Sequence, residues 1–200
     1  VDGVLVAGGF GERGVKGKME AIKYAREHNV PFLGICLGMQ LALIEFAKNV
    51  LKIEDANSIE FDKNCKNPIV YLIDSFMDAS GKKQIRTFTS PLGGTMRLGG
   101  YNCDTKAGSM LREIYAGEKT IRERHRHRYE VNPAYRTQFE KSGLIVSGES
   151  DGLIEAVELK KHPFFLGVQF HPEFTSRLTN PNKVLVAFAN ASIEQRKDDK

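Results

Sequence analysis

Cys36 stands at the centre of Gly34-Ile35-Cys36-Leu37-Gly38, a G-x-nucleophile-x-G stretch with a thiol where many hydrolases carry a hydroxyl. Between a strand and a helix, such a stretch turns sharply. Glycines on both sides remove the side chains that would collide where the two elements close. A sulfur at a helix N-terminus also gains positive partial charge from unpaired amides, which favours the thiolate. A lone cysteine in an α/β sequence is commonly a small buried hydrophobe, but the flanking glycines make Cys36 the candidate nucleophile. Cys65 and Cys103 have no such neighbours and read as structural.

A thiolate that attacks an amide needs a partner to protonate the leaving amine. Phe170-His171-Pro172-Glu173 offers one. His171 ends the apolar run 164–170 and so emerges at the C-terminal edge of a strand, where open α/β sheets place their ligands. Glu173 stands where it could accept the imidazole N–H and fix the tautomer. A surface His-Pro-Glu turn is the other reading of these residues. The remaining histidines, His28, His125, His127 and His162, lie in charged or turn-like stretches and receive no catalytic role. An oxyanion hole needs two donors. Leu37 N–H is one, and the Gly8-Gly9-Phe10-Gly11 turn supplies the other because no side chain blocks the approach. That turn has neither P-loop nor dinucleotide-fingerprint spacing.

The elements that must position these groups alternate between short β-branched runs and amphipathic helices, the pattern of an α/β fold with a mostly parallel central sheet flanked by helices. Strands are predicted over 4–7, 32–35, 69–73, 144–147, 153–159 and 164–170. Helices are predicted over 17–28, from Leu37 to about 51, and over 182–193, with a fraying polar tail at 194–200. The section 54–101 is polar and glycine-rich, and carries only the strand at 69–73.

Hydrophobic residues make up 41% of 200, enough for one compact core. No apolar stretch has transmembrane length and the N-terminus does not read as a secretory signal, so no membrane partner is expected. Three cysteines at unrelated spacings argue for a reducing, cytoplasmic setting rather than a disulfide framework, and no pair has metal-ligand spacing. The formal charge of +4 is interspersed with acidic residues, which argues against nucleic acid.

The elbow and the later His-x-Glu resemble the class I glutamine amidotransferase family. Within it, Asp55 to Phe61, Leu92 to Gly99 and Arg124 to Asn132 are similar to the glutaminase domains of CTP synthases, and the similarity runs from Val1 to about Thr175. The resemblance implies a Cys36-His171-Glu173 triad with a thioester on Cys36, and glutamine ligands at Gly9, Leu37, Gly38, Met39, Gln40, Glu60 and Arg128. Glu60 would meet the α-ammonium of glutamine, and Arg128 would offer its planar fork to the α-carboxylate. It also implies GTP as activator, connected with Phe10 and Arg86, and a synthetase domain that uses ATP and Mg2+ to aminate UTP to CTP in a tetrameric enzyme.

Two features depart from the family pattern. Ala7 replaces the usual proline before the Gly-Gly turn. Relatives also carry a strand-helix-strand stretch and the synthetase domain ahead of the position of Val1, so residues 1–193 are expected to be an N-terminally incomplete domain with unpaired sheet edges. A γ-glutamyl hydrolase with the same triad, and a catalytically idle regulatory domain, are the alternatives.

Overall fold

The computed structural model of the chain describes residues 1–72, 75–77, 80, 82–85 and 96–198. Its strands are β1 Val4–Val6, β2 Phe32–Ile35, β3 Ala56–Ser58, β4 Asn67–Leu72, β5 Ser75–Met77, β6 Lys83–Ile85, β7 Arg97–Thr105, β8 Thr120–His127, β9 Tyr129–Val131, β10 Leu144–Ser150, β11 Leu153–Leu159 and β12 Phe165–Val168. The helices are α1 Val15–Glu27, α2 Leu37–Asn49, α3 Met110–Ile114, α4 Arg136–Lys141, α5 Pro172–Thr175 and α6 Lys183–Asp198.

Seven strands form the main sheet in the order β1-β2-β12-β11-β10-β7-β8; β3-β4-β9 form a second sheet, and β5 and β6 a hairpin. The class is α/β, as the sequence predicts. Within the main sheet, however, parallel pairing is confined to β1-β2-β12, and the pairs from β12 through to β8 are antiparallel. The reason is local: a tight turn joins β10 to β11, and only the five-residue α3 lies between β7 and β8, too short for the crossover that parallel strands need.

The sequence leaves β8 unassigned, although Thr-Ile-Arg-Glu-Arg-His-Arg-His alternates strictly between exposed and buried positions. Arg122, Arg124 and Arg126 point to solvent, while Glu123, His125 and His127 point inward. The predicted tail is also revised: α6 continues through residues 194–198. Of the predicted strand 69–73, the described part belongs to β4.

Helix α2 explains why the elbow is rigid. Every residue from Leu37 to Ala47 is buried, as befits a helix apolar on nearly all sides and enclosed by α1 and both sheets. Its one buried acid, Glu45, is held by the Arg26 fork of α1 through Nε–Oε2 at 2.9 Å and Nη2–Oε1 at 2.7 Å. Leu41, Leu43, Ile44 and Phe46 join Phe32, Ile69, Val131 and Phe139 in one core. On the other face of the main sheet, Leu33, Ile35, Leu166 and Phe170 pack with α3 and Val184 of α6. Among the described residues, no helix is long and apolar enough to cross a membrane.

Candidate active site

Cys36 lies at the junction of β2 and α2 with φ 52° and ψ −104°, a strained conformation for a residue with a Cβ. Both flanking glycines are sterically required. A Cβ on Gly34 would lie 2.7 Å from the Gly38 carbonyl carbon, and a Cβ on Gly38 would lie 2.0 Å from the Val6 carbonyl oxygen. Helix α2 thus starts hard against the backbone of β1 and β2.

Strand β12 is the parallel neighbour of β2, with Val168 opposite Ile35, so both strands deliver their next residues to one edge. Cys36 N–H donates to Val168 O at 2.7 Å, and three residues on, His171 N–H donates to Arg124 O of β8 at 2.8 Å. The two side chains converge beside Gly8. A Cβ built there would be 2.8 Å from His171 Cε1 and 3.5 Å from Cys36 Cβ, so any side chain at position 8 would intrude between them.

The imidazole is oriented from two sides. Nδ1 pairs with Glu173 Oε1 at 2.6 Å, and the ring stacks on Phe174 at 4.5 Å and 6°. Nε2 is buried without a hydrogen-bond partner among the described residues. Burial would raise the Glu173 carboxyl, but the His171 hydrogen bond, its own amide and the imidazole charge hold it below the usual carboxylate value. Helix α5, which carries Glu173, is pinned in turn: Glu123 of β8 accepts from Thr175 Oγ1, Asn182 Nδ2 and Tyr115 OH at 2.9, 2.9 and 2.6 Å.

Burial pushes the Cys36 thiol up to about 12, with the Leu37 N–H pulling the other way. The expected help of the helix N-terminus to the thiolate is therefore opposed here, desolvation outweighing the Leu37 amide. Cys103 is fully buried between β7 and its neighbours. All three cysteines are free thiols.

The remaining predicted residues divide between backbone and side-chain roles. Gly9 lies beside the elbow, where an added Cβ would touch Leu37 Cδ2 at 3.4 Å. Gly38 presses on β1, and the Met39 side chain is fully buried against Gly167. Gln40 Nε2 donates to Tyr129 O and Gln169 Oε1, both at 3.0 Å. Leu37 to Gln40 therefore present backbone toward the elbow, with their side chains committed elsewhere. Glu60 accepts from Gly11 N–H at 2.9 Å, which ties it to the glycine turn. Burial raises its carboxyl, while Gly11 N–H and the Arg128 charge draw it down, so Glu60 and Arg128 share one electrostatic environment. Arg128 is the single residue between β8 and β9, where the chain leaves the main sheet for the second one. Phe10 is 57% exposed at the tip of the turn. Arg86 lies outside the described residues, as does the Leu92-to-Thr95 part of the Leu92-to-Gly99 stretch.

A buried polar cluster behind the triad escapes the sequence reading. Arg97 Nη1 meets Glu155 Oε1 at 2.7 Å and Glu130 Oε1 at 3.4 Å. His125 Nδ1 lies 2.9 Å from His127 Nε2 and 3.6 Å from Glu155 Oε2. Burial, then the Arg97 charge, holds His125 well below the usual histidine range, so it is neutral. The signal for this cluster is the period-two alternation of β8, which turns two histidines inward.

The chain matches the family model for class-I glutamine amidotransferases over residues 1–190. It is 69% identical over 193 residues to a CTP synthase of Campylobacter jejuni subsp. doylei, and 66% identical over 200 residues to one of Wolinella succinogenes. These alignments cover 96% and 100% of the chain and 36% of each relative, so the chain spans about a third of their length. The glutaminase domain of Trypanosoma brucei CTPS, solved with bound acivicin, superposes with a TM-score of 0.86 at 40% identity, covering 96% of this chain and 71% of that one. A glutamine amidotransferase from Thermotoga maritima, 15% identical with a TM-score of 0.50, covers 98% of this chain and 63% of that one and shares the fold. By the family match and these identities, the chain belongs to the class-I glutamine amidotransferase family.

Proposed function

We propose that this chain is the glutaminase of a CTP synthase, releasing ammonia from glutamine through a thioester on Cys36. The observation that carries the reading is the convergence of Cys36 and His171 beside Gly8, with Nε2 buried and facing no other described partner. Because burial holds the thiol protonated, His171 Nε2 takes its proton as Sγ attacks the side-chain amide carbon of glutamine. Glu173, held ionised by the same imidazole, steadies the imidazolium. The carbonyl oxygen, now an oxyanion, accepts from Leu37 N–H and Gly9 N–H. Collapse breaks the C–N bond, the proton on His171 passes to the leaving nitrogen, and ammonia departs. Water, deprotonated by His171, then cleaves the thioester to glutamate and the free thiol.

Recognition of glutamine falls to Glu60 for the α-ammonium and Arg128 for the α-carboxylate, with the backbone of Gly9 and of Leu37 to Gln40 along the side chain. The ammonia goes to a synthetase domain that activates UTP with ATP and Mg2+, in a cytoplasmic, tetrameric enzyme. GTP acts as activator through Phe10 and Arg86.

The direct test is Cys36→Ser in the full-length protein. Glutamine hydrolysis is lost while the melting temperature and circular dichroism are retained. Full activity in the folded variant would refute the reading.

A further inference from the structure

Two different sheets carry the two halves of the site. Cys36 and His171 follow β2 and β12 of the main sheet, whereas Glu60 follows β3 of the three-stranded sheet and Arg128 is the link from β8 of the main sheet into β9 of the other. Productive geometry requires that these sheets hold a fixed separation, since misplacing a bound substrate by about 1 Å can cost roughly a hundredfold in rate.

Arg97 is the largest fully buried side chain among the described residues. Its guanidinium reaches a carboxylate on each sheet, Glu155 on β11 of the main sheet and Glu130 on β9 of the other. Arg97, Glu130, Glu155 and His125 are all 1% exposed or less, so neither carboxylate has solvent as an alternative partner. Each is one step from the site. Glu130 is two residues from Arg128 and adjoins Tyr129, whose carbonyl receives Gln40 of α2. Glu155 O accepts Gln169 N–H at 2.8 Å, two residues before His171.

We propose that Arg97 is a positioning residue for glutamine recognition, a cationic clamp that sets the distance between the sheet holding the substrate's charges and the sheet holding the nucleophile. The inference rests on the glutaminase reading above. The two buried carboxylates lie on separate sheets and share the Arg97 cation, beside His127 at 3.4 Å from Glu130 and His125 at 3.6 Å from Glu155, and a planar fork with several donors meets both where an ammonium point charge does not. As a stability device the arrangement would be poor, because a buried charge network often gives no more stability than apolar residues of the same volume. Its distinctive consequence is a fixed geometry. The elbow's backbone does not depend on it, since α2, β2 and β12 are locked by glycine contacts and apolar packing, and the Glu130 charge acts on the Cys36 thiol only after burial and the Leu37 N–H.

The test compares the wild-type full-length protein with the neutralised triple variant Arg97→Met/Glu130→Gln/Glu155→Gln, which leaves no charge buried alone, and with Arg97→Lys. The readouts are kcat and KM for L-glutamine, the rate of Cys36 alkylation by iodoacetamide, and the melting temperature. Loss of the clamp raises KM about tenfold with kcat within about threefold and alkylation within about twofold of wild type. A folded variant with wild-type KM overturns the proposal. So does an alkylation rate that falls in step with kcat/KM, since that would mean the whole site has loosened. If neither variant folds, the network serves stability alone and the proposal is again overturned. A wild-type protein that hydrolyses no glutamine would instead refute the glutaminase reading.

Discussion

The Cys36 side and the Arg128 side of the proposed site are built on different physics. Around Cys36, position is enforced by hard contact: Gly34 and Gly38 admit no Cβ, Gly167 packs on Met39, and α2 is buried throughout. Around Arg128 and Glu60, position is enforced by polar partners: Gly11 N–H on Glu60, Gln40 on the Tyr129 carbonyl, and Arg97 between Glu130 and Glu155. Packing resists displacement steeply but says nothing about charge, while polar pairs select a charged substrate and yield more readily when one partner changes. Variants on the first side should therefore act on chemistry or on folding, and variants on the second side on KM.

The largest effect belongs to the first side. His171→Ala removes the imidazole that meets Cys36 beside Gly8, and kcat for glutamine falls by about 10^3-fold or more at unchanged melting temperature. A steady-state assay beside a thermal melt separates the two. Next comes Gly38→Ala, whose Cβ meets the Val6 carbonyl oxygen at 2.0 Å, far inside contact distance. It should cost about 3–5 kcal/mol and lower the melting temperature by roughly 10 °C. A melt within about 2 °C of wild type would mean that the elbow tolerates what steric exclusion forbids.

On the second side, Arg128→Lys keeps the charge but loses the fork. KM for glutamine should rise about tenfold with kcat nearly intact, and a fall in kcat at constant KM would erase the contrast between the two regions.

The smallest effect is a control remote from both sides. Burial, against the Met110 N–H, pushes the Glu158 carboxyl up to about 7, so the folded protein holds that proton more tightly than the unfolded chain. This contribution is fully present below the unfolded value of 4.5 and is lost as pH rises through about 7. Glu158→Gln should therefore flatten the decline between those values and raise stability by about 1–2 kcal/mol at pH 8, measured by urea unfolding, with kinetics unchanged.

The same contrast explains what could be read without coordinates. The elbow, the His171–Glu173 pair and the parallel strands were legible because their causes are local: a glycine two residues either side of Cys36, a proline between His171 and Glu173, a buried run ending at a strand edge. The Arg97 cluster was not, because its partners lie 33 and 58 residues away and no short-range pattern pairs them. Strand β8 was half legible: its alternation is strict, but charges on both faces conceal it, since the inward Glu123, His125 and His127 are buried by pairing rather than by being apolar. Of the other antiparallel strands, β10 and β11 were legible as apolar runs, whereas β7 was not, as it opens with a buried arginine and contains adjacent glycines, neither of which marks a strand.

The central claim is that the sulfur of Cys36 forms a γ-glutamyl thioester with His171 as proton carrier, and acid quenching during turnover followed by peptide mass spectrometry addresses it directly. The account predicts a γ-glutamyl adduct on the peptide containing Cys36 and none in Cys36→Ser. Glutamine hydrolysis with no adduct, or an adduct on Cys65 or Cys103, would contradict it.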